Sequence, residues 1–85
     1  MASTEKLQQV AEIIARVADD TSVPRNIRRA ANEAREILLK GEGDPVVRAA
    51  SAISILDEIS NDPNMPVHAR TTIWNALSIL ETIHE

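Results

Sequence analysis

The sequence predicts an all-α fold, a four-helix up-and-down bundle made of two tandem helical hairpins, and three observations predict it. Apolar residues recur at helical spacing in four segments. Turn-forming punctuation separates these segments at "DDTSVP", "GEGDP" and "SNDPNMP". The segment "VADDTSVPRNIRRAANEAREIL" also returns forty-two positions later, less faithfully, as "ISNDPNMPVHARTTIWNALSIL".

The first helix is expected over about residues 4–18. Leu7, Val10, Ala11, Ile13, Ile14, Val17 and Ala18 share one side, and Glu5, Gln8, Gln9, Glu12 and Arg16 take the other. In "DDTSVP" Ser22 is positioned to cap a second helix whose first turn accommodates Pro24. That helix buries Ile27, Ala30, Ala31, Ala34, Ile37 and Leu38. It ends at "GEGDP", where two glycines are free to take positive φ and reverse the chain.

Asp44 and Pro45 start the third helix, because the carboxylate accepts an unpaired amide and proline has none to waste at the first position. This helix is apolar around most of its circumference, with Val46, Val47, Ala49, Ala50, Ala52, Ile53, Ile55, Leu56 and Ile59. Ser51, Ser54 and Glu58 leave only a narrow polar arc, so the helix is expected to be covered on several sides. A fourth helix runs from about Met65 to near the C-terminus and buries Ala69, Ile73, Ala76, Leu77, Leu80 and Ile83.

A shift of forty-two matches Asp20 with Asp62, Ser22 with Asn64, Pro24 with Pro66, Arg28 with Arg70, Ala34 with Ala76, Ile37 with Ile79 and Leu38 with Leu80. Each hairpin has an apolar face it cannot bury alone, so the two must pack together. Two packings satisfy this: an antiparallel bundle, or two stacked HEAT-like hairpins, whose turn pattern "NDPNMPVHARTTIWNAL" resembles. Stacked repeats need about three units for stability, which favours the bundle.

Length and composition bound the rest. Eighty-five residues suffice for one domain, residues 1–85, with one core. With Trp74 as the lone aromatic residue, that core must be aliphatic. The absence of cysteine excludes disulfides, thiolate metal sites and cysteine nucleophiles. No apolar run is long enough to span a bilayer and no export signal is present, so a cytoplasmic protein is expected, without a membrane partner. A net charge of −4 argues against broad attraction to nucleic acid.

The segments "VPRNIRRAANEAREIL", "GDPVVRAASAISILDEISNDP" and "PVHARTTIWNALSILE" resemble, over almost the whole chain, a family of short all-helical archaeal proteins known only as an uncharacterised protein family. The resemblance implies an archaeal four-helix protein. It brings no substrate, cofactor or catalytic residue to carry over.

Chemistry-bearing constellations are sparse. His68 and His84 read as exposed helical histidines, and "ETIH" places Glu81 and His84 on one helix face without the second Glu-x-x-His pair that a dinuclear metal site requires. Glu33 with Glu36, and Asp57 with Glu58, read as solvated charge. "GEGD" ends a helix rather than joining strand to helix, so it is no phosphate cradle. No catalytic residue, metal or cofactor is expected, and the chain is expected not to be an enzyme.

Two surfaces remain. The second helix holds five of the nine basic residues, Arg25, Arg28, Arg29, Arg35 and Lys40, against Glu33 and Glu36, which gives it +3 and leaves −7 for the rest of the chain. Arg25, Arg28, Asn32 and Arg35 follow one stripe. It suits either a polyanion such as RNA or DNA or pairing with acids such as Asp19, Asp20 and Asp57. The leading reading is instead a protein interface, to a partner or to the chain itself as an oligomer, built from Val47, Val67, Trp74 and Ile79 on the third and fourth helices.

Overall fold

The computed structural model describes residues 2–83, in four helices: α1 (Ala2–Ala18), α2 (Arg25–Lys40), α3 (Pro45–Ser60) and α4 (Val67–Leu80). The start of α3 follows the sequence expectation. The Val47 amide donates to the Asp44 carboxylate at 3.1 Å, and Pro45 occupies the first turn.

The other two internal starts differ. Pro24 and Pro66, not Ser22, stand at the cap positions of α2 and α4, both extended (ψ 148° and 151°) and neither with a side-chain cap. The carboxylates of Asp20 and Asp62 take the amides of Ser22 (2.9 Å) and Asn64 (2.8 Å), closing both loops before the helices begin. The proline carbonyls then accept the first helical bonds, from Arg28 and Arg70, both at 3.0 Å. Helix α4 therefore starts at Val67 rather than Met65, and Met65, like its repeat counterpart Val23, is drawn into the core from the loop.

Of the two glycines between α2 and α3, only Gly43 takes positive φ, at 98°. Gly41 lies at φ −65° and is needed for space instead. A Cβ there would collide with the Ile37 carbonyl, which accepts the Gly41 amide at 2.9 Å.

The helices form a closed ring, α1 on α2, α2 on α3, α3 on α4 and α4 on α1. Helices α1 and α3 also meet across the diagonal, whereas no Cα of α2 lies within 8 Å of one in α4. Stacked HEAT-like hairpins would instead set α1 mainly on α3 and α2 on α4. The ring is an up-and-down bundle. Its extents, 34 × 20 × 17 Å, match two-by-two helices spaced about 8–10 Å apart.

Residues that allow close approach line the interior: Ala31, Ala34, Ala49, Ala52 and Ala76 are fully buried beside Val10, Ile14, Ile27, Leu38, Leu56, Ile73 and Leu80. Ile83 closes the end of the core just past α4. Ala30 and Ile37, expected in the core, are only half-buried, Ala30 against its margin. Among the described residues no polar or charged side chain is buried, and no helix is long and apolar enough to cross a membrane.

Two substitutions test this framework. Leu56→Ala, at a fully buried site, is expected to cost about 2–5 kcal/mol. Gly43→Ala is expected to cost roughly 1–2 kcal/mol, because it combines positive φ with a Cβ 3.0 Å from a Val47 methyl. Urea denaturation checks both, as lowered midpoints at unchanged slope.

Candidate functional site

The chain direction of an up-and-down bundle brings the α1–α2 and α3–α4 loops to the same end. There the forty-two-residue repeat becomes a reciprocal clasp. Asn26, at the start of α2, donates to the Asp62 carboxylate of the other loop at 3.1 Å. Its repeat counterpart His68, at the start of α4, lies 2.8 Å through Nε2 from the Asp20 carboxylate. A carboxylate only accepts, so Nε2 carries a proton in this bond.

Ser22 completes a serine, histidine and aspartate cluster that sequence reasoning missed. Its hydroxyl donates to Asp20 at 2.6 Å and lies 3.5 Å from His68 Nε2. This is not the relay that activates a nucleophile, in which a base takes the hydroxyl proton through one ring nitrogen while the acid orients the other. Here the hydroxyl and the carboxylate both face Nε2, and the hydroxyl proton points at the carboxylate. The bonds from the Ser22 hydroxyl and amide, with His68, pull the Asp20 carboxyl down to about 2. Asp62 is also lowered, by the Asn64 amide and the Asn26 side chain. The repeat carried the signal for this clasp, since the shift that matches Asp20 with Asp62 also matches Asn26 with His68.

The arginines of α2 divide. Arg28 is half-buried and donates through Nε to the Val23 carbonyl at 2.9 Å, and Arg35 bonds Asn32 at 3.3 Å and pairs with Glu36 at 3.6 Å. Neither uses the acids expected as partners, because Asp20 is committed to Ser22 and His68. Arg25 and Arg29 are exposed and have no bonded partner among the described residues. The carboxylates Glu33, Glu36, Asp57 and Glu58 lie at the surface. Glu81 is exposed, and His84, which the sequence sets on the same helix face, lies outside the described residues.

The largest departure from expectation is α3. It buries only Ala49, Ala52, Leu56 and Ile59; Ala50 and Val47 are exposed, and Val46, Ile53 and Ile55 are half-buried. The chain does not cover it on several sides, because α4 packs on it less extensively than α2 does on α1. Trp74 (56% exposed), Val67 (79%) and Val47 (51%) stand outside the core on this second hairpin. Helical spacing sets Trp74 on the side of α4 that carries Arg70, whose guanidinium bonds the Ser60 and Asp62 carbonyls at the end of α3. The indole therefore flanks the α3–α4 seam. Ile79, the fourth of the expected contacts, is half-buried and packed against the core.

The matching seam of the first hairpin is an open groove of about 490 Å³, lined by Gln8, Ala11, Glu12, Ala15, Arg35 and Leu39. Leu39, 42% exposed, is the remaining large apolar residue that stands out among the described residues.

Comparison with known proteins adds lineage. The model of UPF0147, an uncharacterised protein family, matches residues 1–83. A UPF0147 protein of Methanothermobacter thermautotrophicus is 58% identical over 83 residues, covering 98% of this chain and 81% of that one. One from Thermococcus kodakarensis is 56% identical, covering 94% and 98%. The crystal structure of MMP1188, a protein of unknown function, superposes with a TM-score of 0.88 at 49% identity, covering 94% of this chain and 91% of that chain. That of a UPF0147 protein from Thermoplasma acidophilum gives 0.87 at 30% identity, covering 99% and 100%.

The clasp predicts an acid limb in stability. Because the folded Asp20 carboxyl titrates near 2 instead of its ordinary 3.8, its contribution is complete above about pH 4 and is lost as pH falls through about 2. Thermal melts across that window should show the wild type losing Tm more steeply than Asp20→Asn. Equal slopes would contradict the assignment.

Proposed function

The chain belongs to the UPF0147 family, and from that premise we propose that it is a non-enzymatic cytoplasmic domain that acts by binding protein through the outer face of its second hairpin. The observation that carries this reading is the exposed Trp74, with Val67 exposed on the same helix and Val47 and Ala50 exposed on α3. Among the described residues only Leu39, Val47 and Val67 join Trp74 as exposed large apolar side chains, and the aliphatic core has no packing use for an indole in water. Tryptophan flanked by small and aliphatic residues is a frequent binding anchor, because it removes a large apolar area from water at little entropic cost.

The interaction is an addition to a self-sufficient fold. The chain exposes 5113 Å², close to the roughly 5,000 Å² expected for a folded monomer of its mass. Partner binding is then reversible, with Val47, Val67 and Trp74 as its apolar contacts.

The unpaired guanidiniums of Arg25 and Arg29 favour a second reading, an RNA- or DNA-associated accessory role for α2. With Arg28 and Arg35 already bonded within the chain, two free charges neutralise about two phosphates, a weak and salt-sensitive attachment.

Tagged wild type and Trp74→Asp, recovered in parallel from an archaeal extract with and without nuclease, separate the readings. The proposal expects a protein that survives nuclease with the wild type and is lost with Trp74→Asp, while far-UV circular dichroism stays the same. Retention by Trp74→Asp would overturn it. Loss on nuclease treatment, reproduced by Arg25→Glu with Arg29→Glu, would put the α2 arginines in its place.

A further inference from the structure

The two seams of the bundle occupy equivalent places in the repeat yet have opposite shapes. The groove residues Ala11, Ala15 and Leu39 of the first hairpin correspond to Ile53, Asp57 and Glu81 of the second, and Asn32 beside the groove corresponds to Trp74. Where the second hairpin raises an indole, the first has a short amide held down by Arg35 at 3.3 Å and a recess of about 490 Å³ next to it. The faces also differ in charge. Residues 2–40 carry seven basic residues against six acids, a net +1 with +3 on α2, whereas residues 41–83 carry two basic residues, Arg48 and Arg70, against six acids, Glu42, Asp44, Asp57, Glu58, Asp62 and Glu81, a net −4.

We infer that the occupant of the α1–α2 groove is Trp74 of a second copy of this chain. This rests on the reading of the α3–α4 face as a binding surface and names its partner. The indole enters over Ala11, Ala15 and Leu39, between Glu12 and Arg35. Arg35, one-third exposed and held only by Asn32 and the neighbouring Glu36, is free to turn its guanidinium onto the ring face. The acidic second hairpin of one copy then meets the basic α2 of the next, which orients the encounter.

The repeat sets the geometry of assembly. An approximate two-fold along the bundle axis relates the hairpins, so projection and recess lie on opposite sides of one molecule. Contact between copies is head-to-tail. Each protomer uses one projection and one recess, and the chain of copies does not close as a simple dimer.

Two variants at exposed positions test this, Trp74→Asp, which removes the projection, and Leu39→Glu, which blocks the recess. Sedimentation velocity across a concentration series should show wild-type association that weakens with salt, and neither variant alone should associate. Mixed, they should form a one-to-one complex that does not extend, because each supplies what the other lacks. The Leu39→Glu protein then holds the only tryptophan in the mixture, so its emission should shift to the blue when Trp74→Asp is added.

Association of Leu39→Glu alone at wild-type strength would show that Trp74 meets another surface, overturning the groove as its site while leaving the second hairpin as an interface. A wild type that stays monomeric, with tryptophan emission independent of concentration, would overturn self-recognition. The extract experiment with Trp74→Asp would still decide the protein-binding role by itself.

Discussion

Close approach of helix backbones at alanine is the constraint on which the rest of this structure depends. Without aromatic side chains, the interior cannot be filled by a few large groups, so helices must come near enough for leucine, isoleucine and valine to meet across it. Ala31, Ala34, Ala49, Ala52 and Ala76 provide that approach by presenting only a methyl group. Such a core is thin. It contains no buried polar group among the described residues, and the places where this protein offers specific chemistry are therefore its loops and outer faces.

The second organising feature is duplication. A half-bundle of two helices cannot exclude water from its own apolar face, so the repeat has to close on itself, and it does so through matched features at one end of the molecule. Two Asp loops, two extended prolines and two residues that reach across, Asn26 and His68, hold the hairpins in register. The copies have kept the positions that build this end and diverged along the seams. There the first hairpin has become recessed, with a basic α2, and the second raised and acidic.

Much of the fold was legible because its signals are local. Helical spacing, Asp44 before Pro45, and the forty-two-residue shift each act within a few turns of chain. The helix starts at Ser22 and Met65 differ because the Asp20 and Asp62 carboxylates take the amides of Ser22 and Asn64, and because Val23 and Met65 gain more from burial than from entering a helix. The candidate surfaces were legible in part: Trp74, Val67 and Val47 stand in solvent, whereas Ile79 is half-buried against the core. Arg28 and Arg35 belonged to a convincing stripe and are bonded at home, because a guanidinium beside a free carbonyl or amide satisfies itself there first.

The sequence by itself determined four amphipathic helices, their order, their duplicated design and their aliphatic interior, since periodicity and turn chemistry are properties of neighbouring residues. Only the tertiary structure decided the ring over the stack, the reciprocal Asp20–His68 and Asp62–Asn26 clasp, and which apolar residues stay uncovered. These depend on distances between segments some forty residues apart, and on how far α4 leaves α3 open. An apolar helix announces in sequence that it needs covering. Whether its own chain or another supplies the cover is a matter of packing geometry, and here that geometry leaves Trp74 and the outer side of α3 facing water.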